Sequence, residues 1–419
     1  MKKHRKYNTV GVFLLLMTMS LGLMFQSCDE YEGLLYEEYP NKFELDDGVP
    51  NVNYIRLNDP TKSDSLIVSA SLNNVIALIG NDLNSISELW FNDQQAYLNT
   101  SYITSNALIV SIPDQIPITV TNKIYMVTEK DTITHDFKVL VPRPSAQSML
   151  CEFVADGEVA VINGSYFIDE ASVPLQVIFP GELEGEVLSV SANYDEISVK
   201  VPVGAGSGPL KIKGIYGSSF SSFNFRDDRN YILDWDNLDA AGSWNPGVIR
   251  NSDPEGITGN YAYFEGDQND GGWLWKNELM FIEWNKSNGR PDVPFYEGDL
   301  SKAVLKFEVN VLEDWKSAAL QMMFTPYDMY NDISYFYNLE YPRGLWMPWA
   351  SSGSYKTEGW RTISIPMSEF NQTSIGTGAG STVTTEMLGG LSFFVWNGGV
   401  AGEECRVRMC IDNIRIVPM

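Results

Sequence analysis

The sequence predicts an all-β protein: two small tandem sandwiches followed by a larger, jelly-roll-like sandwich. Three observations predict it. Short β-rich runs such as Leu66-Ile67-Val68, Val75–Ile79, Leu108–Ile112 and Lys123–Val127 are separated by Gly, Asn, Asp and Pro, the spacing of sandwich strands. Helical periodicity is almost absent. One strand-and-turn pattern occurs twice, and from Tyr231 onward the composition shifts towards aromatic residues and glycine.

The chain of 419 residues opens with Lys2, Lys3, Arg5 and Lys6, then the apolar stretch Val10–Phe25. That stretch falls short of the roughly 20 residues a membrane span needs and fits the apolar region of an export signal. It ends at Phe25-Gln26-Ser27-Cys28, followed at once by Asp29, Glu30, Tyr31 and Glu32. This resembles a bacterial lipoprotein signal. Residues 1–27 would be removed, Cys28 would carry the lipid, and the acidic run would direct export to the cell surface. Phe25 and Gln26 depart from the strict pattern, and an ordinary cleaved signal with an incidental Cys is the rival reading. Residues 28–48, acidic and without pattern, read as a flexible tether.

The internal repeat covers residues 49–142 and 143–226. The first copy runs Val75-Ile76-Ala77-Leu78-Ile79-Gly80, then Leu89-Trp90-Phe91, then Leu108–Ile112 and Pro113. The second runs Val159-Ala160-Val161-Ile162-Asn163-Gly164, then Val177-Ile178-Phe179, then Ile197–Val201 and Pro202. Each copy is one small sandwich. The second, through Val203-Gly204-Ala205-Gly206-Ser207-Gly208-Pro209, closely resembles the immunoglobulin-like TIG (IPT) module, and the first resembles it more faintly. Pro142-Arg143-Pro144 forms a stiff joint between them, and Asp227-Asp228-Arg229-Asn230 marks the second junction.

Residues 227–419 read as the third sandwich. In its last strand Val407, Met409 and Ile411 alternate with Arg406 and Arg408, whereas Ile414 and Ile416 flank Arg415. The apolar phase flips at Asp412-Asn413, which predicts a bulge there. Cys405 and Cys410 lie too far apart along one extended strand to pair. With Cys151 they read as buried thiols.

Composition excludes several functions. With 54 acidic against 29 basic residues, the formal net charge is −25, which argues against a nucleic-acid partner. Acidic polysaccharides are disfavoured too, unless a local basic patch overrides the total, and a neutral ligand suits the balance best. The only histidines are His4 and His135, so the aromatic domain lacks His-dependent nucleophilic chemistry and most transition-metal chemistry. No phosphate-binding loop appears, no catalytic residue or cofactor is assigned, and no metal. Asp267 and Asp270 are of the type that holds structural calcium, but nothing in their spacing is specific.

Ten of the 11 tryptophans fall between Trp235 and Trp396, with only Trp90 outside. Exposed flat rings suit a flat, partly apolar ligand, and sugar rings have such faces. In Trp273-Leu274-Trp275, a strand would put both indoles on one face. In Leu345-Trp346-Met347-Pro348-Trp349, Pro348 blocks a regular central strand. Trp346 and Trp349 are therefore expected to project, with Trp346 preferred for the ligand and the other ring as a packing wedge. Trp244, Trp284 and Tyr327 are further rim candidates, and Trp360 reads as structural. Asn245, Asp267, Gln268, Asn269, Asp270 and Asn397 are of the kind that reads sugar hydroxyls, although turn propensity explains them equally well.

The lipoprotein signal, TIG-like copies, proline joint and aromatic sandwich together resemble the surface glycan-binding proteins B of Bacteroidetes, SusE- and SusF-like outer-membrane lipoproteins. The segment from Leu345-Trp346-Met347-Pro348-Trp349 through Gly359-Trp360 to Ile365-Pro366-Met367-Ser368-Glu369-Phe370 is similar to that family's xyloglucan-binding domain. The resemblance implies a non-catalytic protein, lipid-anchored and facing outwards, that captures a neutral β-glucan or hemicellulose. The first repeats would act as a spacer, and a SusC/SusD-like complex and a surface glycanase would be neighbours. Two rivals remain at this point: a surface glycoside hydrolase with a jelly-roll catalytic domain, and an adhesive lipoprotein with a protein ligand.

Overall fold

The computed structural model describes residues 48–62, 64–237, 248–270, 279–284 (backbone only), 293–326, 338, 340–396 and 400–419. Contacts divide the chain between Val141 and Pro142 into two compact units.

In the first unit, strands Asn51–Leu57, Val75–Asn81 and Ala107–Ser111 form one sheet. A second sheet follows the order Gln94–Ala96, Glu88–Phe91, Lys123–Val127, Thr132–Asp136. Alternate residues of both, among them Ile76, Leu78, Leu108, Leu89, Phe91 and Ile124, share one core, the alternation that a sandwich requires.

The second unit begins with seven strands in one continuous order: Ser145–Met149, Val159–Ser165, Glu196–Lys200, Leu183–Val190, Gln176–Phe179, Gly208–Gly214 and Gly217–Phe225. The sheet curls until its two ends meet, where Ser222 Oγ donates to the Gln147 carbonyl at 3.0 Å. Phe179 and Phe225 meet edge-on inside, with centroids 5.0 Å apart.

The two copies share a backbone device. Val52 pairs with Gly80 and the register then slips at a bulge; Ala146 pairs with Gly164 and slips in the same way. A Cβ on Gly80 would sit 1.8 Å from the Asn51 carbonyl oxygen, and one on Gly164 would sit 1.9 Å from that of Ser145. The repeated glycine is needed because the neighbouring strand crosses too closely for any side chain.

The third sandwich packs a sheet ordered Val248–Arg250, Tyr261–Gln268, Cys405–Pro418, Ala303–Val311, Arg361–Pro366, with Tyr231–Leu233 also on the last strand, against one ordered Leu279–Trp284, Gly390–Trp396, Ala319–Thr325, Gly344–Trp346. Leu305, Phe307 and Val309 from the first sheet meet Leu320, Met322 and Phe393 from the second. The expected bulge is present: Glu308 pairs with Asp412 and Lys306 with Arg415, leaving Asn413 unmatched at φ 52°. Asn tolerates that left-handed conformation better than most residues. Cys151, Cys405 and Cys410 are free thiols.

Every residue of Ala303–Val311 is buried, on both faces. Its outer face is covered by the preceding sandwich, whose Glu152 receives Lys306 Nζ at 2.5 Å and Arg415 Nη2 at 2.8 Å. Arg415 also pairs with Glu308 at 2.7 Å, and its guanidinium lies 5.0 Å from the Phe153 ring centre. Thr362 N donates to the Leu150 carbonyl and Glu152 N to Thr362 Oγ1. The junction at 227–230 is built into this contact. Asp227 is buried and pairs with Arg229, and Asn230 Nδ2 donates to the carbonyls of Phe295 and Ile416.

Candidate functional site

Strand registers bring Trp346 and the described residues that flank 271–278 to one end of the third sandwich. Gln268 pairs with Cys405, Val311 with Met409, Ala319 with Trp396, Leu279 with Val395 and Leu320 with Trp346. Asn269 accepts a hydrogen bond at its carbonyl from Ser317 Oγ, and the Asp270 carbonyl accepts from Gly402 N at 3.1 Å. The residues on either side of 271–278 are thus fixed at this end. Trp273 and Trp275 themselves lie outside the described residues, as do Trp244, Asn245, Tyr327, Asn397 and the Trp284 side chain. Thr325, just before Tyr327, pairs with Gly390, at the opposite end of the sheet.

An aromatic nest fills this end. Trp315 is fully buried, its indole N–H donating to the Ser317 carbonyl at 2.5 Å. Trp346 is half-buried and meets three rings edge-on: Trp315 and Tyr355 at 5.4 Å and Phe307 at 5.7 Å between centroids. These contacts make Trp346 part of the core's rim, with only a portion of its ring towards solvent. Trp349 is corrected. Pro348–Ala350 forms a single 3-10 turn that folds the ring inward, leaving it 7% exposed with its N–H on the Ala318 carbonyl at 2.8 Å. It is the packing wedge and offers no face to a sugar.

Trp360 is held as a structural residue, edge-on to Tyr261 at 5.4 Å with its N–H on the Glu255 carbonyl. Asp267, a candidate hydroxyl reader, instead pairs with Arg406 at 3.0 Å. Gln268 is buried. Among the described residues no group of three His, Cys, Asp or Glu is arranged to hold a metal.

The four-stranded sheet has polar groups that sequence reasoning passed over. All of Ala319–Thr325 is buried, so Gln321, Met323 and Thr325 on its outer face are covered as well. Arg343, fully buried, donates to Gln321 Oε1 at 2.8 Å and to the Asn338 and Tyr341 carbonyls. Burial lowers its pKa to about 10. Gln321 Nε2 is buried and has no acceptor among the described residues. The available signal was a lone glutamine in the run Ala319-Leu320-Gln321-Met322-Met323-Phe324.

Comparison with known proteins places these observations. Residues 225–418 match the family model described as the surface glycan-binding protein B xyloglucan-binding domain. The crystal structure of a surface glycan-binding protein from Prevotella bryantii superposes with a TM-score of 0.78. It is 29% identical and covers 88% of this chain and 99% of that one. An IPT/TIG domain-containing protein of Bacteroides ovatus is 27% identical over 143 residues, 33% of this chain. That match spans only 29% of the relative's length.

Proposed function

We infer, from the premise that this chain is of the surface glycan-binding protein B type, that it captures a polysaccharide without cleaving it. The observation that carries this reading is the match of residues 225–418 to that family's glycan-binding domain, on a fold shared nearly end to end with a surface glycan-binding protein. The net charge of −25 favours a neutral glycan, and a β-glucan or hemicellulose such as xyloglucan or mixed-linkage glucan is the ligand class we propose. The chemistry is stacking: aromatic faces meet the axial C–H faces of pyranose rings while amides read hydroxyls.

The contact residues we propose are Trp273, Trp275, Trp244 and Tyr327, with the exposed part of Trp346. Cys28 would anchor the chain by lipid in the outer membrane, facing outwards beside a SusC/SusD-like complex and a surface glycanase. Residues 49–142 and 143–226 would form two repeats ahead of the binding domain at 227–419. Weak sites suffice on such a protein, because a polymer presents the same unit repeatedly and rebinding raises the effective affinity.

Affinity electrophoresis of residues 29–419 across neutral plant and fungal polysaccharides tests the reading. Retardation by a β-glucan or hemicellulose, with no reducing sugar released, is expected. Release of reducing sugar would instead identify a hydrolase, and no retardation by any glycan would favour a protein ligand.

A further inference from the structure

A groove of about 600 Å³ runs between the second and third sandwiches, inside the compact unit Pro142–Met419. That volume lies within the roughly 300–1,000 Å³ typical of small-ligand sites. Its walls mix apolar surface, such as Ile363, with polar side chains from the second sandwich, Gln147, Asn163 and Ser222. Such a mixture fits a sugar ring, which is apolar on its faces and polar at its rim.

Charge narrows the ligand further. Lys306, Arg229 and Arg361 line the groove together with Glu152, Asp227 and Met419, so cations and carboxylates are mixed in its wall. Lys306 is paired with Glu152 and Arg229 with Asp227. Behind the wall, Arg415 and Glu308 pair with each other. Arg361 is different. It is half-buried in an edge strand, and among the described residues its side chain makes no hydrogen bond and no ion pair. Its electrostatic neighbour is Tyr355, also on the groove wall, whose burial keeps the phenol protonated and able to donate. A guanidinium held partly out of water without a carboxylate is an incomplete pair, and its planar fork matches a carboxylate's two oxygens. A guanidinium without a carboxylate partner on a chain of net charge −25 is selective, because the rest of the surface repels an anionic ligand.

We propose that this groove is a second saccharide-binding site that takes a uronic acid residue, with Arg361 binding its carboxylate and Tyr355, Gln147, Asn163 and Ser222 reading its hydroxyls. The inference rests on the glycan-capture reading and extends it. The main polymer would be held by the aromatic end of the third sandwich, and an acidic residue or branch by the junction. Lys306 and Glu152, locked by the pairs around them, give the groove a fixed wall and a preorganised site.

Calorimetric titration of residues 29–419 tests this with three probes: a xylo-oligosaccharide bearing glucuronic acid, its carboxyl-reduced neutral counterpart, and a glutamate-rich peptide. The uronate sugar is expected to bind, at least tenfold more tightly than the reduced sugar, and less tightly as salt rises. Arg361→Gln should abolish that tenfold preference while leaving the melting temperature unchanged, and Arg361→Lys should retain part of it. Equal binding of the charged and reduced sugars, an unaltered preference in Arg361→Gln, or tighter binding of the peptide would each overturn the proposal. Retardation by neutral polysaccharide should be the same in wild type and Arg361→Gln. Its loss from wild type would count against the main glycan site, whereas the uronate arm decides the groove.

Discussion

Glu152 of the second sandwich and Arg415 in the last strand of the third meet at 2.8 Å, with side chains 3% and 0% exposed. Glu152 simultaneously holds Lys306 at 2.5 Å, and Arg415 holds Glu308 at 2.7 Å. The cluster lies inside the compact unit 142–419 and spans the joint between two separate apolar cores. Such a cluster adds little net stability over well-packed apolar residues. It makes the docking specific, because either domain alone would expose or strand its charges.

Removing one partner should therefore be costly. Glu152→Ala leaves Lys306 and Arg415 short of a carboxylate in a buried contact, at a cost of about 3–5 kcal/mol. Denaturant unfolding of residues 142–419 should show a lower midpoint and two separated transitions in the variant. An unchanged single transition would show that Glu152 does not join the domains.

The contrast with what the sequence could reveal is physical. The repeated glycines and the bulge at Asp412-Asn413 were legible because they depend on local register and alternation. Arg415 was not. Between Ile414 and Ile416 it has the pattern of a solvent-facing strand position, and only a second domain lying over that face buries it. Trp349 misled in the same manner: Pro348 does end the strand, but the turn it begins folds the indole onto Ala318. Arg343 and Gln321 were passed over because polar residues in apolar runs give no sign of which face covers them.

Asp412 should give the protein a distinctive pH dependence. Its charged neighbours are Glu308 and Asp236, both carboxylates, and it is buried against Thr258 and Asn413. Burial pushes its pKa up to about 8, far above its unfolded value of about 3.9. The folded state then binds the proton more tightly than the unfolded state does. Stability should fall as pH rises from about 4 to about 8 and level off above. Asp412→Asn should flatten that slope in thermal melts between pH 5 and pH 9; a variant with the wild-type slope would place the proton elsewhere.

Gly80 tests the shared device of the repeats. Its Cβ would lie 1.8 Å from the Asn51 carbonyl oxygen, so Gly80→Ala must push two paired strands apart, at a cost of about 1–3 kcal/mol. The loss should appear only in the unfolding of the unit ending at Val141. Gly164→Ala should produce the same loss in the other unit. Gly353→Ala supplies a contrast: nothing stands within 4 Å of its added carbon, and its φ of 81° strains the backbone alone.

The tryptophans should divide into three classes when affinity and stability are measured together. Trp315→Ala removes a fully buried ring and should cost about 3–5 kcal/mol of stability, with binding lost only through unfolding. Trp346→Ala breaks three edge-on contacts, worth about 0.5–1.5 kcal/mol each, so it should lower the melting temperature clearly as well as weaken glycan binding. Trp273→Ala and Trp275→Ala, on the proposed platform, should weaken binding about tenfold or more with nearly unchanged melting. Stacking on an aromatic ring is worth roughly 1–3 kcal/mol in base-stacking analogues, and 1.4 kcal/mol is tenfold in affinity. Calorimetric binding to the glycan found by electrophoresis, paired with a thermal melt of each variant, separates the classes. If Trp273→Ala and Trp275→Ala melted as low as Trp315→Ala, both rings would belong to the core, and the glycan would have to be held by other side chains of residues 227–419.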